Sequence, residues 1–298
     1  MKRNRGISLL VPTRNAERTV EMCLRSFEGF ADETIVVDNG STDATVDIVQ
    51  KLEQELPALR FFVRPDLPDL YHNRQFALEQ SRYNWIVRID SDYVAYREGE
   101  YDIHRLRQRI LGTRRSLWPI AFGIKHVVLF GDYRHTGIPR DARPDGGGKY
   151  VQNPTETLAA RIIQHFPGMR FVRHGRWEAV RYQRFLQHRQ LAEPYWFHCQ
   201  FKSNVDLLFR SERTNWRELG DYQKYPTLAS FVHSVLPDKY GTTDIDQAAK
   251  LYVEREVKPF LQKYNPAQYY PYPKMLDLAM QEREERAEGA AGVLDGTG

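Results

Sequence analysis

The amino-terminal third of the sequence alternates strictly between short apolar runs and amphipathic segments. The apolar runs are GISLLVP (6–12), TIVVD (34–38), LRFFVRP (59–65) and NWIVRID (84–90). Each is as short as a buried strand, and each of the first three is followed by a segment with helical periodicity. This order predicts an α/β fold of Rossmann-like type, with a mostly parallel sheet flanked by helices. Ligands of such sheets bind outside the carboxyl ends of the strands.

The first amphipathic segment, NAERTVEMCLRSFEGF, shows how the helices are predicted. Its apolar positions repeat at the helical spacing of i, i+3, i+4 and i+7, at Val20, Cys23, Leu24 and Phe27. Asn15 stands just before it and is predicted to cap the helix. Cys23 therefore lies on an apolar face, and with Cys199 it is one of only two cysteines, so we expect no disulfide framework.

The remaining sequence is divided by composition. We expect residues 1–100 and 101–215 to form the two halves of one domain. Residues 216–285 are predicted to form a helical extension and 286–298 a flexible tail. Residues 131–150, rich in Gly and Pro, are predicted to form a mobile loop. No apolar run approaches the roughly 18 residues of a membrane span. We find no signal peptide and expect a cytoplasmic protein.

Two common phosphate-binding motifs are absent. The turn after the first strand, VPTRNAERT, contains no glycine, which excludes the dinucleotide fingerprint G-x-G-x-x-G. No G-x-x-x-x-G-K-[ST] motif occurs either, and DGGGKY (145–150) has the wrong spacing for one.

Two aspartates, Asp90 and Asp92, follow the fourth strand one residue apart. In an extended segment, side chains at i and i+2 point to the same side. Paired carboxylates suit Mg²⁺ or Mn²⁺, which prefer oxygen ligands. The alternative is that Asp92 caps a helix and Asp90 is a solvated loop acid.

Three segments together resemble the family 2 glycosyltransferases of GT-A fold. They are LLVPTRNAERTVEMCLRSF, ETIVVDNGSTDATVDIV and NRQFALEQSRYNWIVRIDSDY, and the resemblance extends from Ile7 to about Val94. It implies a metal-dependent, inverting hexosyl- or pentosyltransferase that uses a nucleotide sugar, with uracil the implied base, and Mn²⁺ or Mg²⁺ as cofactor. It also implies that residues 1–100 are the nucleotide-sugar-binding half of a GT-A domain and 101–215 its acceptor-side half.

The resemblance also implies roles for individual positions. Pro12, Thr13 and Asn15 would line the nucleotide pocket, Asp38 would contact uracil and ribose, and Arg74 would lie near the diphosphate. Asp90 and Asp92, with Ser91 between them, would hold the metal and the donor. The sequence departs from the usual pattern at Asn39, where many members have Asp, and at Asn73 and Gln75 beside Arg74.

The second half offers less specific candidates. In FVRHGRWEAV, Glu178 matches an acid near the acceptor and is a candidate general base. The alternative is an ion pair with a neighbour such as Arg176 or Arg181; Asp132 and Asp141 are further candidates for the base. In EPYWFHCQFKS, His198 matches a third metal ligand, or is a packed histidine. Lys202 is a candidate phosphate contact.

The acceptor is left open by the sequence. Between Arg161 and Arg189 lie seven arginines, three histidines and one acid, Glu178, interleaved with aromatic residues. Basic and stacking groups together suit a nucleic acid or another phosphate-bearing polymer; a solvated basic face is the alternative. A modified base of phage-type DNA is one candidate acceptor. A nucleotidyltransferase and a non-catalytic nucleic-acid-binding protein are the rival classes.

Overall fold

The computed structural model describes residues 3–67, 70–114, 116–136, 139–140, 149–150, 155–174, 177–181, 185–219 and 224–282. Its strands are β1 (Asn4–Thr13), β2 (Glu33–Asp38), β3 (Leu59–Val63), β4 (Tyr83–Arg88), β5 (Tyr93–Ala95), β6 (Ile120–Phe130), β7 (His135–Thr136), β8 (Pro139–Arg140), β9 (Lys149–Tyr150), β10 (Thr155–Gln164), β11 (Phe171–His174), β12 (Trp177–Val180), β13 (Gln187–Gln200) and β14 (Gln262–Lys263). Its helices are α1 (Val20–Ser26), α2 (Thr45–Glu55), α3 (Leu70–Gln80), α4 (Ile103–Leu111), α5 (Asn204–Leu219), α6 (Leu228–Tyr240), α7 (Ile245–Tyr252) and α8 (274–282).

The main sheet has eight strands in the order β3-β2-β1-β4-β10-β6-β13-β5. The first four pair in parallel, as the alternation of strands and helices predicts. This confirms the predicted α/β fold class. Beyond β4 the described pairs β10–β4, β10–β6 and β13–β5 are antiparallel, which the sequence pattern did not reveal.

The apolar run in β1 is continuous because both faces of the sheet are covered. Leu9 and Val11 pack in a cluster with residues of α1, α2 and α4. Leu10, one position out of phase, packs in a second cluster with Ala77 and Leu78 of α3. Alternate residues of one strand thus meet helices on opposite faces, and the carboxyl end of β1 is held rigidly between them.

Contacts divide the chain into two compact units. The first comprises the described parts of Met1–Val128, Thr155–Cys199 and Asn265–Gly298, and the second those of Leu129–Pro154 and Gln200–Tyr264. In the second unit α5, α6 and α7 share a small apolar cluster around Leu208, Val232 and Leu236. The predicted boundaries at residues 100, 215 and 285 follow chain order and stay a prediction.

Other features can be compared with the sequence directly. Cys23 and Cys199 are both buried free thiols, as expected. In the predicted loop at 131–150, the described residues include β7, which pairs with β14, and the short pair β8–β9. Residues 141–148 and the predicted tail at 286–298 lie outside the described residues. No described helix is long and apolar enough to span a bilayer.

Candidate functional site

The carboxyl ends of β1 and β2 lie side by side, with Thr13 opposite Asp38. Pro12, Thr13 and Asp38 are all buried. The two carboxylate oxygens of Asp38 accept hydrogen bonds from the Ser41 N–H, at 2.9 and 3.0 Å. Asp38 therefore shapes the loop after β2, in the position where the resemblance implies a nucleotide contact. The Thr13 hydroxyl is buried and makes no hydrogen bond to any described residue.

Asn15 joins the loops that follow β1 and β2. Its N–H donates to the Ser41 hydroxyl at 2.8 Å, and its Oδ1 accepts from the Thr42 N–H at 2.9 Å. The predicted capping role is wrong, because α1 begins only at Val20 with Thr19 before it. Asn15 instead takes a left-handed backbone conformation, with φ of 48°, which asparagine tolerates better than most residues.

Asp90, Asp92 and His198 form a cluster of candidate metal ligands. One possible ligand atom from each lies within 4.8 Å of the other two, and Asp92 Oδ1 is 3.3 Å from His198 Nε2. His198 comes from β13, whose antiparallel register sets it opposite Tyr93 of β5. The Cys199 N–H also donates to the Asp92 carbonyl at 2.7 Å, fixing this turn to β13.

Arg74 is fully buried beneath this turn. Its Nη1 donates to the carbonyls of Leu10 and Ile89, at 3.3 and 2.9 Å, so it ties together the ends of β1 and β4. Its Nη2 donates to Asp90 Oδ1, and its Nε lies 2.5 Å from Glu178 Oε1. With no exposed surface, Arg74 acts on the site through the two carboxylates it holds.

Arg161 of β10 engages Asp90 from the other side. Its Nη2 lies 3.7 Å from Asp90 Oδ2 and donates to the Tyr93 hydroxyl at 3.0 Å. Burial opposes ionisation of Asp90, yet the charges of Arg74 and Arg161 prevail and hold its pKa well below its ordinary value. Burial likewise raises the pKa of the Tyr93 hydroxyl. Asp90 is thus an ionised carboxylate held in place by two arginines.

Glu178 is mostly buried, with 11% of its side chain exposed, and its Oε1 also pairs with Arg88 of β4, at 2.8 Å. Burial and the neighbouring Arg161 lower the pKa of Arg88 to about 10. The ion pairs of Glu178 therefore come from Arg74 and Arg88, whereas the sequence suggested Arg176 or Arg181. Arg176 lies outside the described residues. The second oxygen, Oε2, is buried and makes no hydrogen bond to a described residue.

These side chains form one site cluster with balanced formal charge. Its guanidinium groups belong to Arg74, Arg88 and Arg161, and its carboxylates to Asp90, Asp92 and Glu178. His198 completes the cluster and contacts the Tyr93 ring edge-on, with ring centroids 4.6 Å apart.

The donor set fits a divalent cation. The two carboxylates supply oxygen atoms, which both Mn²⁺ and Mg²⁺ bind. The imidazole supplies a nitrogen atom, which Mn²⁺ binds readily. The 3.3 Å between Asp92 Oδ1 and His198 Nε2 is the spacing of neighbouring ligands on one small ion. Asp90, Asp92 and His198 are the three residues predicted from the sequence as metal ligands; the structure brings them together, and their role as ligands stays a prediction.

Two other candidates occupy different positions. Ser91 is buried in the turn between the aspartates. Lys202 belongs to the second unit and precedes α5. Of the further candidates for a base, Asp132 also belongs to the second unit, and its Oδ1 lies 2.8 Å from His135 Nδ1. Asp141 lies outside the described residues.

The basic stretch from Arg161 to Arg189 is divided by the fold. Arg161 belongs to the site cluster, while Arg170, Arg181 and Arg189 are exposed. Of the interleaved aromatic residues, Phe171 is buried and Phe166 packs against the same apolar cluster. Phe171 is therefore a core residue, whereas Phe166 is only partly buried. An acceptor that stacks on aromatic residues of this stretch stays a prediction.

Sequence reasoning missed Arg161 and Arg88 as site residues. Arg88 ends an apolar strand two residues before Asp90, and a charge at a strand's carboxyl end was an available signal. Arg161 carried no such signal. It reaches Asp90 only because β10 runs antiparallel to β4, with Ile162 opposite Val87.

Comparison with known proteins agrees with the site. Residues 8–101 match the family model described as glycosyl transferase family 2. The chain is 29% identical over 138 residues to an uncharacterized glycosyltransferase of Rickettsia bellii, covering 46% of the chain and 42% of the relative. It is 32% identical over 120 residues to the lipopolysaccharide core biosynthesis glycosyltransferase LpsC of Rhizobium meliloti, covering 39% and 44%.

The chain thus spans about half or less of the curated relatives it matches. Among solved structures, residues 1–349 of S. aureus TarS align with a TM-score of 0.44 and 18% identity, covering 85% of this chain and 75% of TarS. That likeness is too weak to carry a functional comparison. The carboxylate pair at the end of β4 lies within the matched residues, so residues 8–101 are similar to glycosyltransferase family 2.

Proposed function

We propose that this chain is a metal-dependent, inverting glycosyltransferase that takes its sugar from a nucleoside diphosphate sugar, with a uridine nucleotide as the expected donor. One observation carries the proposal. Asp90, Asp92 and His198 offer ligand atoms within 4.8 Å of one another at the carboxyl end of the parallel strands, where such folds bind ligands. The loops after β1 and β2, joined by Asn15, supply the adjoining nucleotide pocket.

The bound cation would neutralise the negative charge that develops on the departing diphosphate. The arginines of the cluster have a separate part. Arg74 and Arg161 hold both oxygens of Asp90 and so fix the carboxylate before any ligand arrives. Such preorganisation means that little reorganisation is needed during the reaction.

The transfer is a single displacement at the sugar. An acceptor hydroxyl oxygen forms a bond to the anomeric carbon, and the bond from that carbon to the phosphate oxygen breaks. Its electron pair leaves with the nucleoside diphosphate. The hydroxyl proton passes to a general base, and Glu178 is the proposed base, because its Oε2 lies in the cluster without a hydrogen bond to a described residue.

Calorimetric titration of UDP-sugars, with Mn²⁺ and with a chelator instead, tests the donor site. We expect donor binding to depend on the metal. Asp92→Asn should weaken that binding at least about tenfold, because loss of a metal ligand should cost no less affinity than loss of a residue that orients a ligand. Asp238→Asn, an exposed change on α6, is the matched control. Equal binding with and without metal, or no binding of any nucleotide sugar, would refute the proposal.

Glu178→Gln separates the two roles open to Glu178. The melting temperature should fall in either case, because Arg74 and Arg88 lose their shared partner. A general base also predicts a kcat of the folded variant lower by about 10²–10⁴ at saturating donor, whereas a purely structural ion-pair partner predicts weaker donor binding with little change in that kcat.

A further inference from the structure

An exposed apolar patch lies outside the site cluster. It consists of Leu117, Trp118 and Phe185, whose exposed fractions are 99%, 59% and 47%. The rings of Trp118 and Phe185 stack, with centroids 6.2 Å apart and planes 15° apart. Single exposed apolar residues are ordinary, but three together on one surface mark an interaction site. We call this group the Trp118 patch.

The Trp118 patch lies at the end of the main sheet opposite the site cluster. The Gln187 N–H donates to the Pro119 carbonyl at 2.8 Å, so the segments that carry the patch meet where β6 and β13 begin. The Ile120 N–H lies 3.3 Å from the side-chain oxygen of Gln164. Gln164 pairs with Trp85, near the start of β4, whereas Asp90 follows the end of that strand. A partner could therefore hold this face without covering the donor site.

The surroundings of the patch are basic. The segments 112–119 and 181–192 contain five arginines and no aspartate or glutamate. Arg114 and Arg189 are exposed beside the patch residues. Arg5 is also exposed and donates to the carbonyl of Leu111 at 2.9 Å, close to the first segment. The next acid along the chain, Glu193, is paired with Arg109 at 3.0 Å. The segments that carry the patch are therefore rich in basic residues, with Arg114 and Arg189 exposed.

We propose that the Trp118 patch docks the protein on the surface of an anionic phospholipid membrane. Transfer of a leucine side chain from water into hydrocarbon is favourable, and tryptophan prefers the boundary between hydrocarbon and headgroups. Arginines nearby are attracted to the phosphates of anionic lipids. A nucleic acid would use the arginines and the rings, but it offers nothing to a fully exposed leucine. In the docked protein Leu117 and Trp118 insert into the membrane and the nearby arginines contact the lipid headgroups. A membrane therefore accounts for both the apolar and the basic residues.

Co-sedimentation of the full chain with vesicles tests this inference. The vesicles contain either phosphatidylcholine alone or equal parts of phosphatidylcholine and phosphatidylglycerol. We expect binding to the anionic vesicles only, and at least about a tenfold loss of binding for Leu117→Glu. The control is Leu278→Glu on α8, where the leucine is 49% exposed, much as Phe185 is. Lipids with brominated acyl chains should quench a fluorescence component that Trp118→Phe removes.

Several results would overturn the inference. The inference is wrong if the protein does not bind anionic vesicles or binds both vesicle types equally. It is also wrong if Leu117→Glu and Leu278→Glu lose equal vesicle binding, or if brominated lipids do not quench the fluorescence of Trp118. A wild-type dimer that Leu117→Glu converts to a monomer, without vesicle binding, would assign the patch to a second copy of the chain. Binding of a single-stranded oligonucleotide that Leu117→Glu weakens, again without vesicle binding, would assign it to nucleic acid. Circular dichroism of each variant shows whether it is folded.

Discussion

Replacing Arg74 by methionine is expected to destabilise the protein more than any surface arginine change. Methionine keeps much of the aliphatic length and removes the guanidinium. The change leaves the carbonyls of Leu10 and Ile89 without that donor and removes one cation from both Asp90 and Glu178. Removing one partner of a buried ion pair costs about 3–5 kcal/mol. That is a large part of the roughly 5–15 kcal/mol by which domains are stable.

The measurement is a thermal unfolding scan with a matched variant. Arg109→Met removes a pair of similar length, 3.0 Å, between half-exposed side chains, and such pairs contribute about 0–1 kcal/mol. We expect Arg74→Met to lower Tm by roughly 6–15 °C, from about 2–3 °C per kcal/mol for a chain of this size. Equal shifts for Arg74→Met and Arg109→Met would show that the buried network does not hold the end of β4.

Further predictions concern the same cluster and the core. Arg161→Met should raise the dissociation constant for the donor, because Asp90 loses one of the two arginines that hold it and the cluster loses one positive charge; unchanged donor binding would contradict that role. The folded protein lowers the pKa of Asp90 and Glu33, since cations and N–H donors outweigh burial. Their stabilising effect is therefore complete above the unfolded pKa of about 4 and is lost as pH falls toward the folded values. The urea midpoint should drop on acidification, and less steeply in Glu33→Gln. Burial raises the pKa of Cys23 and Cys199, so a thiol reagent should label neither until the protein is unfolded.

The sequence predicted what depends on short-range pattern. Apolar runs and helical periodicity gave the parallel strands, and Asp90 and Asp92 could be placed at a strand end because they follow one directly. His198 could be named only through the family resemblance. Its position beside Asp92 depends on the register of β13 against β5, which residue pattern does not encode.

Long-range pairing also explains the errors. Arg161 looked like the first residue of a basic surface stretch, yet β10 turns it toward Asp90. Asn15 looked like a helix cap because it precedes an amphipathic segment, but its partner, Thr42, lies in the loop after the next strand. In both cases the deciding partner is distant in sequence, so local propensity could not identify it.

The balanced charge of the site cluster has a consequence for the order of binding. A divalent cation alone leaves excess positive charge among half-buried groups, and a diphosphate alone leaves excess negative charge. Each ligand should therefore bind more tightly when the other is present. By thermodynamic reciprocity, the factor by which the cation strengthens donor binding must equal the factor by which the donor strengthens cation binding. The protein should then bind the cation and the donor cooperatively, and bind each of them weakly when the other is absent.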